Sequence, residues 1–294
     1  MVVASTLSVA SAETAYTPYR VGMDVHAGAT VVHYVEHGSG QAVLLLHGAG
    51  VDHCEIEACF EPIFDGMGDF RRIYPDLPGM GRTAAPAEAR SADDVLGVLR
   101  EFARQVTGRM PYLLIGHSAG AYFAQAMAAR EPDRVAGLAL ICPLLPNSQD
   151  VPDHGVTVGS DEIGDAAFRN YFVIHTQEML ARYERYVVPG AARADEAALA
   201  RIGEQWEITP AYPRAYEEPT LILAGRLDST AGYAAALGLV AHYPHATVAV
   251  LDGTGHALPH ERPDALHALT ADWLARIDCA HPSSSLPEES TDVR

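Results

Sequence analysis

Basic charge is scarce in this chain. Its 294 residues carry 20 Lys plus Arg against 38 Asp plus Glu, a formal net charge of −18. Nucleic acids and anionic membrane surfaces need a basic face, so neither is expected as a partner. Long hydrophobic runs are missing too, and none approaches the roughly 20 residues that cross a bilayer. Cysteine is sparse: Cys54, Cys59, Cys142 and Cys279 form no C-x-x-C pair. A chain of this length needs no disulfide staples, so a reduced, cytoplasmic setting is expected. The opening "MVVASTLSVASAETAYTP" has no Lys or Arg ahead of a short apolar part broken by Ser and Thr. Residues 1–16 therefore read as a flexible leader rather than an export signal. The sequence contains no internal repeat.

What is present is a globular composition, 48% hydrophobic and 20% charged. That suffices for one large core with an inserted lobe. Segments 19–25 and 30–36, separated by "HAGA", read as an edge hairpin. "QAVLLLHGAG" is an apolar run ending in glycines, as suits a strand covered on both faces. A helix is expected over 55–65. "FRRIYP" reads as a strand stopped by prolines and glycines, and Ser91 as the N-cap of a helix with Asp93 and Asp94 in its first turn. "PYLLIG", "VAGLALIC", "PTLILAG" and "ATVAVLDG" are further strands, alternating with helices. Such alternation predicts a mainly parallel α/β sheet flanked by helices. The pattern breaks over 143–218, where helices are expected at 165–186 and 195–207. This interval reads as an inserted helical cap between core segments 17–142 and 219–278, with a disordered tail at 279–294.

Three residues stand out for chemistry. Ser118 lies in "GHSAG", a G-x-S-x-G between a predicted strand and a predicted helix. The turn is tight enough that glycines must flank it, which leaves the hydroxyl exposed above the sheet. A serine needs a base to attack at neutral pH, and His256 follows the last predicted strand in a Gly-rich loop. The base needs an acid to hold its tautomer, and Asp228 follows the preceding strand. A developing oxyanion needs backbone amides. Ala119 is preset by the elbow, and the second donor is assigned to Ala49, ahead of Gly50, in "HGAG". His47 reads as a brace for that loop.

These motifs resemble the α/β-hydrolase superfamily. "LLLHGAG", "YPDLPGMGRT", "GHSAG", "LILAGRLD" and "GTGHALPHE" occur in the order and spacing of that family. The resemblance spans about residues 21–277, apart from the cap. It implies an eight-stranded sheet, a site beneath the cap, and no metal or organic cofactor. A serine at 118 separates the chain from epoxide hydrolases and haloalkane dehalogenases, which are similar but use aspartate. The carbon–carbon bond hydrolases of aromatic degradation usually have a longer Gly-rich oxyanion segment and a tryptophan after the catalytic histidine. Here Ala257 follows His256.

The expected function is a serine hydrolase acting on a small or medium carboxylic ester or lactone, as a monomer or homodimer. Carbon–carbon hydrolysis, acyl transfer or perhydrolysis, and a ligand receptor that retains the triad remain alternatives. Phe172, His175 and Trp206 of the cap are candidates for the substrate pocket. Asp52 and His53 either face its entrance or cap the next helix. His33 and His37 have no third ligand at zinc-site spacing, and "GMGRT" lacks the lysine of a phosphate loop.

Overall fold

The run "QAVLLL" forms strand β3 (Gln41–Leu46), and its side chains alternate between two cores. Val43 and Leu45 join one apolar cluster, Leu44 and Leu46 the other. The computed structural model describes residues 22–145, 155–208 and 216–280. Among them β3 is one of eight strands in a single sheet. The others are β1 (Met23–Ala27), β2 (Thr30–His37), β4 (Phe70–Pro75), β5 (Tyr112–His117), β6 (Val135–Ile141), β7 (Thr220–Gly225) and β8 (Ala246–Leu251). Their order is β1-β2-β4-β3-β5-β6-β7-β8. The β1–β2 and β2–β4 pairings are antiparallel, and every pairing from β4 through β8 is parallel.

Helices cover both faces, which explains why the central strands are apolar on both sides. On one face lie α2 (Ala92–Thr107) and α3 (Ala119–Arg130), contributing Leu96, Leu99, Phe102, Phe123 and Met127. On the other lies α1 (His53–Phe64), with Ile56, Phe60 and Ile63, joined by the chain's last described helix, which brings Trp273 and Ile277. Ser91 caps α2 in a reciprocal box with Asp94. No helix among the described residues is long and apolar enough to cross a membrane.

Between β6 and β7 the chain leaves the sheet. Among the described residues the helices there are α4 (Ala166–Tyr171), α5 (Gln177–Arg182) and α6 (Glu196–Gly203), with short turns of helix between α5 and α6. The single helix expected over 165–186 is therefore interrupted. Asp165 caps α4 and Thr176 caps α5 by accepting the amides of Phe168 and Met179. Between them, Val173 and Ile174 donate their amides to Glu261 instead of to a helical carbonyl, at 2.6 and 3.0 Å. β-Branched residues lose little by leaving a helix, and a buried carboxylate offers their amides a stronger acceptor. After β7 comes a short helix, α7 (Ala234–Gly238), followed by one 3-10 turn. Two further helices end the described residues, α8 (Leu258–Glu261) and α9 (Pro263–Ala280). Cys279 and Ala280, the first residues of the expected tail, belong to α9. The remainder of that tail, the expected leader, and residues 146–154 and 209–215 of the inserted segment lie outside the described residues.

Candidate active site

Strand β5 runs into α3 with Ser118 alone between them. Its φ is 54°, a left-handed conformation that costs a non-glycine residue about 1–3 kcal/mol. Neighbouring hydrogen bonds hold it there. Ser118 N donates to the Ile141 carbonyl at 2.9 Å, while its own carbonyl accepts the amides of Tyr122 and Leu144. The flanking glycines are required by close approach. A Cβ on Gly116 would lie 2.4 Å from the Gly120 oxygen, and one on Gly120 would lie 2.2 Å from the Leu46 oxygen. The serine is thereby pushed above the sheet between β3 and β6.

Two loops at the same sheet edge meet it. His256, past β8, places Nε2 2.9 Å from Ser118 Oγ. Its Nδ1 lies 2.9 and 3.1 Å from the two carboxylate oxygens of Asp228, past β7. Asp228 also accepts the amides of Thr230 and Ala231, each at 2.9 Å. Burial pushes its carboxyl pKa up, but the His256 ring and these amides outweigh burial and hold it below the ordinary value. A carboxylate at Nδ1 keeps the proton there and leaves Nε2 free to accept the serine proton. The amides that Asp228 accepts precede α7. They form a local turn that aims the carboxylate.

The loop after β3 passes beside the serine. A Cβ on Gly48 would lie 3.4 Å from Ser118 Cβ. His47 braces this loop. Its Nδ1 donates to the Gly48 carbonyl at 2.7 Å, and its Nε2 accepts the Leu77 amide at 2.9 Å. Burial pushes its pKa down, in keeping with a neutral ring. The Gly50 amide meets the Met80 sulfur at 3.3 Å. Ala119 is the first residue of α3, where helix geometry supplies no partner for an amide. Asp52 caps α1 through the Cys54 amide and also accepts Arg193, while His53 pairs with Asp76.

The three cap residues expected at a pocket have other contacts. Phe172 is fully buried, stacked on Phe168 and packed against His260. His175 is buried, with Nε2 2.9 Å from the Phe172 carbonyl. Trp206 stacks on Tyr122 and meets Phe123 edge-on. Among the described residues of the cap, Tyr171 brings its ring to the site, edge-on to His256 at 6.2 Å between centroids. Its hydroxyl donates to Glu55 at 3.2 Å. Glu261 pins the cap to the histidine loop. Besides the amides of Val173 and Ile174 it accepts Thr254 Oγ1 and Gly255 N, at 2.7 and 2.8 Å. Sequence reasoning missed both acids. Glu261 ends the "GTGHALPHE" motif, and Glu55 falls on the buried stripe of Cys59 and Ile63, where an unpaired acid would be costly.

The sequence profile of the Alpha/beta hydrolase family matches residues 43–269. The chain belongs to this family. As an alpha/beta hydrolase it is similar to 2-hydroxymuconate semialdehyde hydrolase of Pseudomonas putida, 26% identical over 89% of this chain and 96% of that protein. It is also similar to pimeloyl-[acyl-carrier protein] methyl ester esterase of Shewanella woodyi, 27% identical over 84% of this chain and 98% of that one. Among solved structures it resembles an alpha/beta superfamily hydrolase from Oenococcus oeni, with a TM-score of 0.77 and 27% identity, over 84% of this chain and 96% of the other.

Proposed function

We propose that this hydrolase cleaves a small or medium carboxylic ester or lactone through an acyl-enzyme on Ser118. The observation that carries the reading is the continuous chain of contacts from Ser118 Oγ through His256 to Asp228, each closest contact 2.9 Å. Ser118 Oγ attacks the ester carbonyl while His256 Nε2 takes its proton. Asp228 stabilises the imidazolium. The amides of Ala119 and Ala49 receive the oxyanion, each such donor lowering the barrier by about 2.7–4 kcal/mol in comparable sites. The assignment of Ala49 is supported by the Gly50 amide being directed at Met80. His256 then protonates the leaving alcohol, and water activated by the same nitrogen releases the acid. The segment 143–218 acts as a cap over this centre, and the four unpaired thiols favour a reducing, cytoplasmic setting.

Likeness to 2-hydroxymuconate semialdehyde hydrolase favours a second reading, carbon–carbon hydrolysis of a vinylogous diketone by the same three residues. Ala257 after His256 weighs against it. A series of aryl esters run beside lactones and one dienoate ring-fission product separates the two by relative kcat/KM. The common premise is tested by a fluorophosphonate. Wild-type protein should be labelled on Ser118, and Ser118→Ala should keep its fold and lose all labelling. Labelling that persists in the variant, or never occurs in the wild type, refutes the assignment.

A further inference from the structure

The residue between Gly116 and the serine, His117, is 1% exposed and takes no part in the proton transfers just described. One of its nitrogens, Nε2, lies 3.0 Å from the backbone carbonyl of His256. The other, Nδ1, lies 3.3 Å from Glu55 Oε1. The same carboxylate oxygen is 3.5 Å from His260 Nε2 and 3.2 Å from the Tyr171 hydroxyl. Glu55 is fully buried. It thus joins four parts of the molecule: helix α1, the nucleophile elbow, the helix after the histidine loop, and the cap.

We propose that Glu55 is a positioning residue for His256, acting through His117 on the backbone of the base and through Tyr171 on its ring. The proposal rests on the reading of Ser118 and His256 given above. Proton placement follows from the contacts. A carbonyl only accepts, so His117 Nε2 carries hydrogen. Nδ1 lies 3.3 Å from Glu55 Oε1 without an aligned hydrogen bond, and it is the counter-charge of an ionised Glu55 that makes His117 an imidazolium. His260 is different. Its Nδ1 accepts Arg182 Nε–H at 3.2 Å, so its single proton sits on Nε2, 3.5 Å from Glu55 Oε1.

The electrostatics agree with this placement. Burial acts against charge on both partners, yet Glu55 raises the pKa of His117, and His117 with His260 holds Glu55 well below the usual carboxylate range. Burial lowers the pKa of His260, leaving it neutral. The other ionisable groups near His117 are Asp228, Cys142 and His256 itself. A neutral side chain at 55 would remove the counter-charge, and His117 would give up one of its two protons. The anchor on the His256 carbonyl, or the tie to residue 55, is then weakened. A base displaced by a fraction of an ångström loses its aligned contact with Ser118 Oγ while the walls of the pocket stay in place.

The test uses full-length enzyme labelled with ¹⁵N in its histidine rings, His117 being assigned by loss of its signals in His117→Gln. At about pH 8, above the ordinary histidine range, both nitrogens of His117 should be protonated in the wild type, and only one in Glu55→Gln. In parallel, Glu55→Gln should lower kcat on an aryl ester about tenfold to 10²-fold and slow fluorophosphonate labelling by the same factor. KM should change by less than about threefold, since binding surfaces are kept. Wild-type kcat in Glu55→Gln, or a neutral His117 in the wild-type spectrum, would overturn the proposal. The wild-type spectrum decides even if Glu55→Gln does not fold. Failure of the underlying reading looks different, because the wild-type protein would then not be labelled at all.

Discussion

Ser118 holds a backbone conformation that ordinary residues avoid, and three hydrogen bonds to its amide and carbonyl keep it there. Such strain is a reason to look for chemistry at a position and does not prove it. In the proposed mechanism the chemistry at this position depends on the tautomer of His256, which the carboxylate of Asp228 at Nδ1 would set. Asp228→Asn keeps the size and most contacts of the acid but can present an amide N–H where the imidazole needs an acceptor. It should lower kcat by about 10⁴-fold, the size of that penalty in Ser-His-Asp triads. Steady-state kinetics on an aryl ester measure it, and a loss below tenfold would mean that another acid serves. At this scale the sequence was most legible. Ser118, Asp228 and His256 each sit at the end of a readable strand, in a motif whose glycines have a steric reason. Glu55 and Tyr171 were not legible as site residues, because nothing local marks a helix acid or a cap aromatic as the neighbour of a loop far away in sequence.

At the scale of elements, the start of α1 is tied to the turn after β4 by His53 and Asp76. Asp76 Oδ1 accepts His53 Nδ1 at 2.8 Å and the His53 amide at 3.0 Å, and Oδ2 accepts the Arg82 amide at 2.8 Å. Burial alone would lower the pKa of His53, but the Asp76 carboxylate raises it to about 11. Burial would raise that of Asp76, and His53 brings it down to about 2. The folded state therefore binds the His53 proton more tightly than the unfolded chain does. Its contribution to stability is complete below about pH 6.5 and is lost as the pH rises toward 11. The Asp76 contribution is present above about pH 4 and is lost as the pH falls toward 2. Melts between about pH 6 and 10 should show wild-type Tm declining, and Asp76→Asn starting lower with a shallower slope. Parallel curves would show that the pair does not titrate in that window. The cap helices show where element prediction stopped. Their spacing suggested one helix through Phe172, yet Glu261, arriving from the other end of the chain, supplied a better acceptor for two of its amides.

For the molecule as a whole, the sheet order decides which loops become neighbours. Residues 118 and 256 are 138 positions apart but follow strands whose ends open at one edge. The same packing sorts the cysteines. Cys59 and Cys142 are buried, Cys54 is half-buried, Cys279 is exposed, and all four are free. A thiol reagent should react first with Cys279 and then with Cys54, sparing Cys59 and Cys142 until the protein unfolds. Denatured, unreduced protein should titrate four thiols. A lower count would reveal a disulfide and a different redox setting.

Apolar alternation, turn residues and the glycine-flanked serine are local properties, and they were enough to locate the strands of the main sheet, its main helices and the three residues proposed for catalysis. Those features act over a few residues, so reading them needs no knowledge of what lies across the fold. Only the tertiary structure decided the break in the cap, the burial of Phe172 and His175, and the meeting of Glu55 with His117, His260 and Tyr171. Each of these depends on which distant group comes within hydrogen-bonding or packing range once the chain is compact, and that energy is absent from any single stretch of sequence.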